Sequence, residues 1–287
     1  MVRVTRRKTP MTAGYAVAEV EAALAVPADT SAAGFFDVDN TMMQGASIYY
    51  LARGLAARKY FTTGDLVRFG MRQLKFRVMA SEDGGHVSQA REAALAFVAG
   101  RDVEDLRRLS EEIFDELMAD RIWLGTHALA RLHLEAGQRV WLVTAAPVEI
   151  GAVIAQRLGL TGAIGTVAEI RDGLYTGRLV GDMMHGPAKA AAIRDLAARE
   201  GLDLSRCAAY SDSVNDLPML SSVGRAVAVN PDPALRRTAR EKGWEIRDFR
   251  TGRKAAKIVV PAALGAGVVV GAVAAGAALR RRKPPAS

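Results

Sequence analysis

The chain has little of what several function classes require. Cysteine occurs once in 287 residues, at Cys207 inside an apolar run. A lone thiol cannot form an internal disulfide, so a reducing compartment is expected, with Cys207 as a small buried hydrophobe. Histidine occurs four times, and His86, His127, His133 and His185 lack metal-ligand spacing, so all four are expected to be structural or on the surface. Aromatic residues make up 6% and show no stacking pattern suited to nucleic acid. An uncharged secretory core is also missing. The apolar stretch 15–26 follows a basic start but carries Glu19 and Glu21, so the body is expected to stay on the side of the membrane where it is made.

What is present is an ordinary globular composition, 50% hydrophobic and 24% charged, which excludes collagen-like, disordered and disulfide-framework classes. The net charge of +8 is unevenly placed. Residues 247–287 hold nine basic residues against Asp248 alone, 9 − 1 = +8, so residues 1–246 are neutral. With Arg3, Arg6, Arg7 and Lys8 set aside, the remaining body is negative. Nucleic-acid binding needs clustered charge on the folded domain, and here the charge sits at the ends. No nucleic-acid partner is expected.

The basic tail brackets residues 258–279, 22 residues without a charge. At about 1.5 Å per residue a helix of that length spans roughly 33 Å, enough for a hydrocarbon core of about 30 Å. Eight Ala and four Gly against nine Val, Leu or Ile make its insertion favourable but weak. Arg253, Lys254 and Lys257 before it and Arg280 to Lys283 after it suit anionic headgroups at either end. A single-pass C-terminal anchor on the cytoplasmic face of the cell membrane is expected, a cytoplasmic protein being the alternative. Gly267 and Gly271 form a GxxxG that would allow a homodimer.

Four short apolar runs in the body read as strands buried on both faces: 34–39, 139–144, 207–210 and 226–229. Helical patterns intervene, such as 149–158 and 189–199. This is the pattern of an α/β parallel sheet. About 100 residues separate the first two strands, too many for a simple crossover, so an inserted helical cap is expected. Asp172-Gly173 reads as a hairpin turn. The organisation expected is a leader (1–31), a core (32–43 and 135–247), a helical cap (44–134), a basic linker (248–257), a transmembrane helix (258–279) and a basic tail (280–287).

Polar residues follow the strands, where open α/β sheets place their sites. Asp37-Val-Asp39-Asn-Thr41 can set two carboxylates and a hydroxyl around one point, a nucleophile and an acid/base without histidine. It can equally be a turn or helix start. Thr144 precedes a helix and suits either a phosphate or a cap. Lys189, after Gly186-Pro187, suits phosphate charge or solvent. Ser211-Asp212-Ser-Val-Asn215-Asp216 offers the hard oxygens that Mg²⁺ favours. Each signal alone is weak; four in this order at strand ends are jointly strong.

On these motifs the sequence resembles the haloacid dehalogenase superfamily, in its phosphoserine-phosphatase-like subfamily IB. The resemblance runs over about residues 34–247 and implies a Rossmannoid core, Mg²⁺ and hydrolysis of a small phosphorylated substrate through an aspartyl-phosphate. Carried over by position, it implies Asp37 as nucleophile and Asp39 as general acid and base. It implies Thr41, Thr144, Lys189 and Asn215 on the phosphate. The metal would take the Asp37 carboxylate, the Asp39 carbonyl and Asp212, with Asp216 either a ligand through water or an orienting group. An acid two residues after the nucleophile is absent from dehalogenases and P-type pumps, which favours a phosphomonoesterase. Phosphoserine phosphatases of this branch carry a glutamate nine residues after the nucleophile, and here Ala46 stands there. Phosphoserine is therefore not the expected substrate, and a metabolite or lipid headgroup is left open. The cap run 66–79, with Arg68, Arg72, Lys75 and Arg77, reads as a solvated basic face or as an anion contact. The alternative function is a membrane-tethered regulator that binds a phosphorylated ligand without turnover.

Overall fold

The computed structural model describes residues 29–60 and 98–250. The leader before residue 29, the basic run 66–79 and the whole of 258–279 lie outside the described residues. Among the described residues no helix is long and apolar enough to cross a membrane. The chain divides into two units, Met1–Arg247 and Asp248–Ser287.

The first unit is built on a six-stranded parallel sheet. Its strands are β1 (Ala33–Asp37), β2 (Arg139–Pro147), β3 (Gly162–Thr166), β6 (Ala208–Ser211), β7 (Arg225–Val229) and β8 (Glu245–Arg247). They run in the order β3-β2-β1-β6-β7-β8. A separate hairpin of β4 (Ala168–Arg171) and β5 (Leu174–Leu179) turns at Asp172-Gly173, both at positive φ. The parallel α/β core expected from the apolar runs is present, and so is the hairpin. Two strands carry no such run. β3 is rich in Gly, Ala and Thr and β8 is only three residues long, so each brings a single isoleucine, Ile164 or Ile246, against the core.

Helices cover both faces. α5 (Pro187–Glu200), α6 (Leu217–Leu220) and α7 (Pro233–Lys242) send Ile193, Leu196, Met219, Leu220, Leu235 and Ala239 into one core with Ala33, Phe35, Val143, Cys207 and Ala209. α3 (Leu124–Glu135) packs against β1 and β2, and α4 (Val148–Arg157) against β2 and β3. Side chains alternate along a strand, so Phe35 and Asp37 point to the α5 face while Phe36 points to α3. There Phe36 stacks on Tyr210, ring centroids 4.0 Å apart, and meets the His133 ring edge-on. His133 is fully enclosed. Its Nδ1 lies 2.6 Å from Gln138 Oε1 and its Nε2 2.7 Å from Tyr210 Oη. Burial first, with Arg225 adding to it, pulls the ring below its ordinary value despite the Gln138 bond.

The insertion between β1 and β2 opens and closes through a two-stranded neck. Met43 pairs antiparallel with Ile122, the Gln44 N–H donates to Arg121 O at 2.8 Å, and the Trp123 N–H donates to Met42 O at 2.9 Å. Beyond the neck, α1 (Ser47–Ala57) packs on α2 (Val103–Ile113), Gly54 lying close against Ile113. The expected cap, 44–134, took in the pattern that forms α3. In the structure that helix lies on the sheet, because its apolar stripe (Leu129, Ala130) and His133 face β1 and β2.

Candidate active site

β1 lies between β2 and β6, and the chain proceeds outward from it in both directions. The C-terminal end of such a strand is the switch point at which open α/β sheets form a crevice. Phe36 pairs with Tyr210 in register, so Asp37 and Ser211, one residue further, end neighbouring strands on the α5 face. Asp212 follows at once. Sequence segments more than 150 residues apart thus meet because each motif sits at a strand end.

Lys189 is the centre of this meeting. It is the third residue of α5, whose N-terminus disfavours a cation, yet it is only 3% exposed. Two carboxylates hold it there: Nζ lies 2.6 Å from Asp37 Oδ1 and 2.8 Å from Asp216 Oδ2. Burial pulls the ammonium down, but Asp37 and Asp216 outweigh that and keep it above its ordinary value. Burial pushes the Asp37 carboxyl up to about 7 against the pull of Lys189, with Asp216 adding to the rise. Gly186 sets the start of α5 at φ 53, a backbone state that side chains rarely adopt.

The remaining expected residues are distributed as follows. Thr41 is fully buried and its Oγ1 donates to Asp212 Oδ1 at 3.2 Å. Asp39 is half-buried. Its Oδ1 accepts from both the N–H and the Oγ of Ser47, at 2.8 and 2.7 Å. This bond caps α1, whose own N-cap position is Ala46 with no side-chain bond. Thr144 is buried inside β2, which continues to Pro147. Its Oγ1 accepts from the Ala146 N–H at 3.1 Å, which leaves its proton free to donate. Asn215 is exposed in a single turn, Val214–Asp216, its N–H on Ser213 Oγ. Asp216, which the sequence leaves as either a ligand through water or an orienting group, faces Lys189; its Oδ2 also accepts from Ser211 Oγ at 2.7 Å.

Three further residues organise the site. Ser47 and Ser211 are buried hydroxyls on Asp39 and Asp216. Asp232 caps α7 through the Leu235 N–H, accepts from the Val214 N–H at 3.0 Å, and donates its own N–H to Asp212 O at 2.7 Å. The only sequence signal for Asp232 was its place just after a strand and before a helix.

The donors suit a hard divalent cation. Burial pushes the Asp212 carboxyl, itself half-buried, up to about 6, more than the Thr41 bond lowers it, so a cation beside Asp212 and Asp37 would favour their ionised forms. Among the described residues no three His, Cys, Asp or Glu side chains form a metal cage of their own. A cation here would complete its shell with carbonyl, water or phosphate oxygens, which is how Mg²⁺ is usually held.

A family model described as haloacid dehalogenase-like hydrolase matches residues 35–221, the span that holds this constellation. The chain belongs to the haloacid dehalogenase superfamily. Within it, the chain is 58% identical over 257 residues to a Mycobacterium tuberculosis (strain ATCC 25618 / H37Rv) protein named Phosphoserine phosphatase SerB1, covering 90% of this chain and 83% of that one. A solved structure of a protein of unknown function from Bordetella pertussis Tohama I is 31% identical, with TM-score 0.66, covering 77% of this chain and all of that one. A substrate-bound phosphoserine phosphatase complex, 19% identical with TM-score 0.51 over 79% and 99% of the two chains, shares the fold. This member of the superfamily is a phosphatase of the phosphoserine-phosphatase-like branch, a hydrolase of phosphoric monoesters.

Proposed function

We propose that the protein is a Mg²⁺-dependent phosphomonoesterase that works through an aspartyl-phosphate on Asp37. The observation that carries this reading is the buried bridge from Asp37 through Lys189 to Asp216 at the sheet's switch point. Asp37 Oδ would attack phosphorus in line with the leaving oxygen, and Asp39 would protonate that oxygen, then take a proton from the water that hydrolyses the acyl-phosphate. Lys189 supports a trigonal phosphoryl group with a fixed positive charge, and the free proton of Thr144 can donate to one of its oxygens. Thr41 already bonds Asp212, so its part is to hold that carboxylate. Asp216 orients Lys189. Asp37, Asp212 and the Asp39 carbonyl would hold Mg²⁺, which when bound offsets charge on the phosphoryl oxygens.

The substrate proposed is a small phosphorylated metabolite or lipid headgroup. The name of the mycobacterial relative makes phosphoserine the first compound to assay, but Ala46 supplies no acid for its ammonium. We further propose that residues 258–279, between their basic flanks, anchor the enzyme at a membrane surface. The supports are uncharged length and anionic-lipid attraction. Full-length protein assayed with Mg²⁺ on an aryl phosphate, phosphoserine and lysophosphatidic acid should hydrolyse at least one. Asp37→Asn should abolish that turnover, and retained turnover would refute the reading. A carbonate wash that leaves the full-length protein entirely soluble would remove the anchor.

A further inference from the structure

Ser211 is the last residue of β6, is completely buried, and has no part in the chemistry above. Its Oγ accepts from the Ser213 N–H at 3.2 Å, so its single proton is left to donate, and it lies 2.7 Å from Asp216 Oδ2. The same oxygen receives Lys189 Nζ, and Lys189 reaches Asp37 Oδ1. Hydroxyl, carboxylate, ammonium and carboxylate form one line in which Ser211, Asp216, Lys189 and Asp37 are 0, 2, 3 and 6% exposed.

We propose that Ser211 is a positioning residue that fixes Asp216 and, through it, aims Lys189 at Asp37. This rests on Asp37 as nucleophile. Lysine has a flexible four-carbon stem, and a carboxylate held by its ammonium alone can turn with it. The Ser211 hydroxyl is different, because it projects from a paired strand. β6 is bonded on one side to β1 and on the other to β7, and the Ser213 N–H fixes the direction of the proton. Asp216 Oδ2 therefore has one rigid donor and one mobile donor, and the rigid one sets where the mobile one points. The cation's position over Asp37 is thus set from the strand beside the nucleophile rather than from α5.

The test uses the purified full-length protein with Mg²⁺ and an aryl phosphate. Ser211→Ala should lower kcat about tenfold, the effect of one lost hydrogen bond to a charged group, with KM within about twofold. Ser211→Thr, which keeps the hydroxyl, should recover most of the loss. In an Asp216→Asn background, Ser211→Ala should cost less than about twofold more, because the hydroxyl acts only through Asp216. Ser211→Cys, close in size and a weak donor, serves if the alanine variant does not fold, and should fall between wild type and Asp216→Asn. Ser211→Ala at wild-type kcat, equal losses in the Ala and Thr variants, or losses that multiply with Asp216→Asn would each overturn the proposal while Asp37→Asn stays inactive. Turnover retained by Asp37→Asn would overturn the underlying reading as well.

Discussion

Lys189 Nζ stands 2.6 Å from Asp37 Oδ1 with both side chains enclosed. Removing the ammonium leaves Asp37 and Asp216 buried together without a cation. Lys189→Met should destabilise the fold by about 3 to 5 kcal/mol, the usual result of stripping one partner from a buried charge pair. It should also lower kcat by about 100-fold or more, as loss of a fixed donor to a reacting oxyanion does. Denaturant unfolding and steady-state kinetics on the same preparation check both.

The pH dependence has a definite sign. Asp37 and Asp212 are raised from 3.8 to about 7 and about 6, so in the absence of a cation their stabilising contribution is full below about pH 4 and is lost as pH rises through about 6 and 7. Mg²⁺ should reverse that loss. Its thermal stabilisation should be small near pH 5 and grow through about pH 6 to 8, reaching roughly 5 to 10 °C at about 100-fold over Kd. Melting curves with and without Mg²⁺ across that range test it, and a shift independent of pH would contradict the cation site.

Much of this was legible in the residues. Asp37, Lys189 and Asp212 each have an ordinary turn, cap or surface reading and became legible only together, as polar residues following apolar runs in one order along the chain. Alternation along β1 and β6 then puts Asp37 and Ser211 on one face. What was hidden is whatever depends on a partner far away in sequence. Asp216 stays open between a metal ligand and an orienting group until Lys189 and Ser211 are seen on its Oδ2. Helix α3 reads as cap until its stripe is seen against the sheet. β3 and β8 each give the core only one isoleucine, too little to read as an apolar run, and His133, expected to be structural or on the surface, is a buried hub for Tyr210 and Gln138.

Ser47 ties the proposed acid/base to the first helix of the insertion. Ser47→Ala removes one of two bonds on Asp39 Oδ1 and should lower kcat about five- to tenfold, with Ser47→Thr close to wild type. Kinetics on the pair decide it.

His133 predicts an acid-sensitive core. Its folded value lies below the ordinary 6.5, so its contribution is full above about pH 6.5 and is lost as pH falls below that. His133→Leu strips Tyr210 Oη of its partner and should cost about 2 kcal/mol near neutral pH. The gap between wild type and variant should narrow toward about pH 5, as urea unfolding at several pH values would show.

The central claim is phosphoryl transfer to Asp37. Acid quenching of the Mg²⁺-loaded enzyme during turnover of a phosphate-labelled substrate, followed by peptide mass spectrometry, reads it directly. One phosphoryl group on the peptide that contains Asp37, labile to hydroxylamine and absent from Asp37→Asn, is the predicted result. Sustained turnover with no label on that peptide, or label on another residue, would contradict the account.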